Sequence, residues 1–158
     1  MKHALIIGCC AAFLVAGCAP AAVDANGETN VAKSADLAVS LTIPKRSYCV
    51  GETMQVVVTV ANLTGQPKTI AATTAAPVQF VLTRETQRYN PVVKKYPQFA
   101  APAMSPWTLA PGQVRSFEQT LTVEPDWPRE ELLRLTANIA GRPDAAPSLV
   151  LIVTDPGK

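Results

Sequence analysis

The chain has 158 residues, 48% of them hydrophobic and 16% charged, with 14 prolines, 8 glycines and a formal net charge of +2. That length suits one domain, and the near-even charge excludes both strong electrostatic steering toward nucleic acid and an acidic, disordered chain. The only histidine is His3, so the rest of the chain has no His-based catalysis and no His-ligated metal site.

Met1-Lys2-His3 is a short basic start, followed by an apolar run from Ala4 to Ala16. Thirteen helical residues would reach roughly 20 Å, short of a bilayer core of roughly 30 Å. A charged start, a short apolar stretch and small residues at its end read as a secretory signal. The run ends in Leu14-Val15-Ala16-Gly17-Cys18, which resembles the lipobox of bacterial lipoproteins. The resemblance implies cleavage before Cys18 and a lipid on its thiol, making residues 1–17 the signal peptide and Cys18 the attachment site. The alternative is an ordinary signal peptide with an incidental cysteine. Ala19 rather than Asp follows Cys18, which in that family implies delivery to the outer membrane, on its periplasmic side, in a Gram-negative cell. The first expected partner is therefore the membrane itself, held through two or three acyl chains.

Residues 19–35 have no apolar periodicity, so residues 18–35 are expected to form a lipidated flexible tether. Residues 36–158 form the domain. Leu37, Val39, Leu41 and Ile43 alternate as a strand that Pro44 stops. Cys49 is the one thiol left once Cys9 and Cys10 leave and Cys18 is lipidated; it is expected to be a buried, inert side chain, the alternatives being an intermolecular disulfide or a reactive thiol. A nucleophilic cysteine needs a base, and no histidine is there to supply one. Met54, Val56, Val58 and Val60 alternate next, then Val78, Phe80 and Leu82. Phe117, Leu121 and Val123 follow, with Gln119 at an inward position between them. Residues 126–131 carry helix-start signals, yet Leu133, Leu135, Ala137 and Ile139 alternate directly after, so one helical turn at most precedes a strand. A final apolar block runs from Ser148 to Thr154. Turn signals separate these runs, and there is no βαβ rhythm. The expected fold is all-β: an Ig-like antiparallel β-sandwich of seven or eight strands, with a small barrel as the alternative.

The run Tyr48-Cys49-Val50-Gly51-Glu52-Thr53-Met54-Gln55-Val56-Val57-Val58-Thr59-Val60-Ala61-Asn62-Leu63-Thr64-Gly65-Gln66-Pro67 resembles the intracellular proteinase inhibitor (BsuPI-type) family. There, a Gly-Glu turn leads into an alternating strand that ends in Asn and a turn of small residues. Trp107-Thr108-Leu109-Ala110-Pro111-Gly112-Gln113, leading into Phe117, resembles the same family's approach to a later strand. The resemblance covers residues 48–123 and implies an Ig-like domain and, as a function, inhibition of a proteinase through an exposed loop.

No catalytic residues emerge from the inventory. Glu130-Glu131 and the Glu124-x-Asp126 pair read as solvated charges, since adjacent strand residues point to opposite faces. No spacing supplies calcium or zinc ligands, no glycine-rich loop cradles phosphate, and the serines lack a base. No cofactor, metal, nucleic acid or small-molecule substrate is expected, and the protein is not expected to be an enzyme. Asn62-Leu63-Thr64 spells a glycosylation sequon that sits naturally in a turn. Residues 88–107 stand apart, because Arg88, Lys94, Lys95, Tyr96, Phe99 and Trp107 lie there among prolines. Cations beside aromatics in a long, stiffened connection suit contact with another envelope protein, in which case Tyr96 and Lys95 are dispensable for folding. Alternatively Phe99 and Trp107 plug the open end of the sandwich while the lysines face water.

Overall fold

The computed structural model describes residues 27–71, 75–86, 88–98 and 106–155. The signal peptide (1–17), Cys18, the tether as far as residue 26, and Phe99 lie outside the described residues. Among the described residues the fold is all-β, with no helix.

The strands are β1 (Glu28–Lys33), β2 (Leu37–Ile43), β3 (Ser47–Cys49), β4 (Thr53–Asn62), β5 (Lys68–Ile70), β6 (Val78–Arg84), β7 (Val92–Tyr96), β8 (Trp107–Leu109), β9 (Val114–Thr122), β10 (Leu132–Ile139) and β11 (Ser148–Thr154). Four of them form one sheet in the order β1-β2-β4-β9, and five form the other in the order β3-β11-β10-β6-β7. A two-stranded sheet pairs β5 with β8.

Alternation builds the sandwich. Leu37, Val39, Leu41 and Ile43 of β2 and Met54, Val56, Val58 and Val60 of β4 are buried on one inner face. Phe80 and Leu82 of β6, Leu133 and Leu135 of β10, and Leu149, Leu151 and Val153 of β11 are buried on the other. Together they make one continuous core. A one-residue slip of β2 against β4 would turn Leu37, Val39, Leu41 and Ile43 to water, so the inner pattern itself fixes the register.

Several features depart from the sequence expectation. Glu28–Lys33, assigned to the flexible tether, form an edge strand that pairs antiparallel with β2 along its whole length. Such a strand needs no apolar alternation when its inward positions are met by polar partners. Glu28 accepts from Arg46 at 2.8 Å, and Asn30 accepts from the Ser148 N–H at 3.3 Å. β3, β5 and β8 are too short to show a period, which lifts the strand count above eight. β3 pairs parallel with β11, the exception to an otherwise antiparallel arrangement. Residues 126–131 form no helical turn, which the expectation of one at most allows: the chain turns with the Trp127 N–H bonded to Glu124 O at 3.1 Å, and Glu130 adopts a left-handed φ of 55°. Trp127 explains the detour, because its ring is driven into the core. Cys49 is half-buried rather than buried, its Sγ 3.9 Å from Thr154 Oγ1.

The registers place the starts of β1, β4, β7 and β10 at one end of the sandwich, with the ends of β2, β6, β9 and β11. The chain enters there. The opposite end gathers the β1–β2 turn, Asn62, β5, and the β10–β11 turn with Arg142.

Candidate functional site

The described residues of 88–107 do not form a single outward surface. β7 is an edge strand beside β6, and its Lys94 and Tyr96 pair with Leu82 and Phe80, which point into the core. Lys94 Nζ reaches Glu124 Oε2 at 2.7 Å and Asp126 Oδ2 at 3.0 Å. These carboxylates raise the Lys94 ammonium above the usual lysine range, Glu124 contributing most. The Tyr96 hydroxyl donates to Glu124 Oε1 at 2.8 Å and accepts from Trp127 Nε1 at 3.2 Å. Its pKa is pushed up to about 12, first by burial and then by the bond to Glu124. Glu124 is held below the usual carboxylate range by Lys94 and then by Tyr96. The Glu124-x-Asp126 pair is thus half of a latch that fastens β7 to the loop after β9.

Trp107 also turns inward. It is 9% exposed, lying edge-on to Phe117 with ring centroids 5.3 Å apart, as a residue plugging the sandwich would. The Arg115 guanidinium sits over both rings, 5.3 Å from the Trp107 centroid and 5.1 Å from that of Phe117. Trp107 Nε1 is buried with no hydrogen-bond partner among the described residues. Arg88 and Lys95 are exposed, as is Tyr89 at 70%. Lys94, Tyr96 and Trp107 therefore hold the body together, and of the five described residues among the six nominated from sequence only Arg88 and Lys95 face water.

Two clusters were invisible to sequence reasoning. At the far end, Arg142 Nη1 donates to Asp36 Oδ2 at 3.0 Å, and Arg142 Nη2 also contacts Asp36. The same Nη2 reaches Asp144 at 2.8 Å and Ser34 Oγ at 3.0 Å. Lys68 pairs with Asp36 from β5. Arg142, then Lys68, hold the Asp36 carboxyl well below the usual carboxylate range. Beside this clamp Asn62, 2% exposed, donates to Gln66 O, Leu109 O and Ala110 O and accepts from the Thr64 N–H and hydroxyl. Its amide is the knot that ties the turn after β4 to the end of β8. The sequon asparagine has no free amide hydrogen to offer.

Other charges are likewise paired. Arg134 grips Glu85 through two bonds of 2.7 and 2.6 Å, and Arg84 pairs with Glu131 at 2.8 Å. Among the described residues no three His, Cys, Asp or Glu side chains come together as metal ligands. What these groups do chemically is join loops.

β9 is different. Among the described residues it pairs with β4 on one side alone, and every residue of it except Phe117 and Leu121 is exposed. Arg115 and Gln119 share the inward phase of Phe117 and Leu121 but stay exposed, so Gln119 is not the core position its spacing suggests.

No family model and no curated protein matches the sequence. Among solved structures, the chain is similar to the sporulation control protein Spo0M from Bacillus subtilis, with a TM-score of 0.51 and 18% identity. That match covers 77% of this chain and 50% of Spo0M, so the chain spans about half the length of the structure it resembles. A β-glucosidase from Listeria innocua gives a TM-score of 0.44 at 17% identity, over 81% of this chain and 16% of that one. An alkylpurine DNA glycosylase from Pseudomonas fluorescens gives 0.47 at 10% identity, over 80% and 30%. At these identities the likeness to Spo0M concerns the fold alone: a β-rich bacterial domain.

Proposed function

We propose that the protein is a lipid-anchored component of the bacterial cell envelope whose sandwich is a non-catalytic binding or scaffolding module. The observation that carries this is the run Leu14-Val15-Ala16-Gly17-Cys18 behind a basic, apolar leader, with the first strand of a sandwich beginning soon after, at Glu28. The ionisable pairs give further support, because Lys94 with Glu124 and Arg142 with Asp36 are spent on joining loops. A surface of turns and strand edges recognises partners by shape and main-chain pairing. Inhibition of a proteinase, as the BsuPI-type resemblance implies, would use the segment 88–107, whose exposed cationic or aromatic residues among the described ones of 88–98 are Arg88, Tyr89 and Lys95. A panel of proteinases assayed with the protein tests that alternative.

The anchor is tested by Cys18→Ser in the full chain. The parent should partition into the detergent phase and the variant into the aqueous phase, with unchanged folding. Equal membrane retention of the two would overturn the anchor.

A further inference from the structure

The four edges of the two larger sheets are not equally protected. β3 is three residues long, β7 carries Lys94 and Lys95 opposite an irregular register at Leu82/Thr83, and β1 turns the charged Glu28 inward. Short length, lysines, bulges and inward charges are the ordinary defences of an edge against another strand. β9 has only the last of them, Arg115 in the inward phase, and its guanidinium lies over the Trp107 and Phe117 rings. The strand runs for nine residues, Val-Arg-Ser-Phe-Glu-Gln-Thr-Leu-Thr, without proline, lysine or a break in register against β4.

The direction of its main-chain groups follows from the ladder. Asn62 N donates to Gln113 O at 3.0 Å at one end, and Val123 N donates to Glu52 O at 2.9 Å at the other. Bonding to the β4 side therefore falls on odd-numbered residues. By the alternation of an antiparallel pair, the N–H and C=O groups of Val114, Ser116, Glu118, Thr120 and Thr122 point to the open side. Val114, at 55% exposure, is an apolar side chain on that margin.

We infer that β9 is a self-pairing edge, through which two copies of this chain join their four-stranded sheets into one continuous antiparallel sheet. The choice of a second copy rests on the complementarity of β9 with itself. A two-fold axis through Phe117 sets Phe117 opposite Phe117 of the second copy, Arg115 opposite Gln119, Ser116 opposite Glu118 and Val114 opposite Thr120. Even-numbered residues meet even-numbered residues, so every narrow pair exchanges two main-chain bonds, and no like charges face each other. Moving the axis to Glu118 would set two carboxylates face to face. Moving it to Ser116 would shorten the paired stretch. The exposed inward side of β9, with Arg115 over Trp107 and Phe117, supplies the apolar and cationic surface that the second copy covers.

The test uses disulfide trapping in the full chain, in its membrane, in a Cys49→Ser background. Directly opposed residues of a wide pair lie within disulfide reach, whereas residues four apart on one strand do not. Arg115→Cys with Gln119→Cys together should give a dimer on a non-reducing gel, and neither single substitution should. Adding Ser116→Pro, whose lost N–H points away from β4, should lower the trapped dimer at least tenfold while the melting temperature stays close to that of the parent. Sedimentation of the detergent-solubilised parent should give twice the monomer mass, and the Ser116→Pro chain alone should give the monomer mass. A monomeric parent would overturn the inference and leave the edge to an extended strand of another protein. Equal trapping by the single cysteines, or a dimer indifferent to Ser116→Pro, would overturn it as well.

Discussion

Asn62→Ala removes one side-chain amide and, with it, the knot between the turn after β4 and the end of β8. In the parent, its Nδ2 donates at 2.8 Å to Gln66 O, 3.2 Å to Leu109 O and 3.1 Å to Ala110 O, while its Oδ1 accepts at 2.9 Å from Thr64 N and 2.8 Å from Thr64 Oγ1. Two hydrogens serve three carbonyls, so the donors are shared and these bonds do not simply add. Water can replace the amide at the exposed Gln66, but less readily at the buried Leu109. A buried group left without its partner costs about 1–3 kcal/mol, and allowing for partial hydration the total is about 2–4 kcal/mol. At roughly 4 °C per kcal/mol for a domain of this size, the melting temperature should fall by roughly 8–16 °C. Asn62→Asp keeps the bonds from Thr64 but turns an oxygen lone pair toward the carbonyls. It should lose at least as much at neutral pH and recover part of the loss in acid, where the new carboxyl protonates. Urea unfolding followed by tryptophan fluorescence measures both. An Asn62→Ala chain within 1 kcal/mol of the parent, by the scale of a single net hydrogen bond, would refute the knot, as would an Asp variant more stable than the Ala variant at pH 7.

Val58 is fully buried on β4, so Val58→Asp should cost several kcal/mol of the roughly 5–15 available and leave no cooperative melt; a melt like the parent's would mean that the inner register is wrong. Tyr96→Phe strips the acceptor from the indole N–H of the buried Trp127 and should cost about 1–3 kcal/mol in urea, whereas Lys95→Ala should stay within about 0.5 kcal/mol. This reverses the expectation that Tyr96 is dispensable for folding. Asp36 and Glu124 have carboxyls held below their ordinary values, so the stability they contribute is present above about pH 4 and lost as pH falls through their folded values. Lys94 and Tyr96 are raised, so their contribution is complete below about pH 10 and is lost as pH rises beyond it. A melting profile flat from pH 5 to 9 that declines on both sides is expected, and Asp36→Asn should blunt the acid limb.

The strands that were legible in the sequence are those with one wet and one dry side. β2, β4, β6, β10 and β11 each alternate between a buried and a less buried position, and that is the period-2 signal. β1 carries polar groups inward and β9 leaves Arg115 and Gln119 uncovered, so alternation in them is weak or misleading. The candidate segment misled for another reason. A cation and an aromatic look the same in sequence whether they face water or a buried indole, and the groups that settle the matter, Glu124 and Trp127, lie about thirty residues away. Asp36 and Arg142 are 106 positions apart, so no local pattern could have paired them. Asn62 was visible only as the end of a strand and part of a sequon, because its carbonyl partners are Leu109, the last residue of a strand too short to recognise, and Ala110 just after it.

The early start of β1 shortens the leash. With Glu28 already fastened to Ile43, residues 19–27 alone separate a lipidated Cys18 from the sandwich, and their full stretch is about 30 Å. A domain lipidated at Cys18, as proposed, and held on so short a lead would not sample the depth of a compartment; it would diffuse in a shallow layer over its membrane. Its encounters would become two-dimensional, and its effective concentration toward anything on the same surface would rise without any new contact. A weak edge gains most from such crowding. Two-fold pairing about an axis normal to the membrane would carry both chain entries at the same height, so neither leash need lengthen for the sheets to meet.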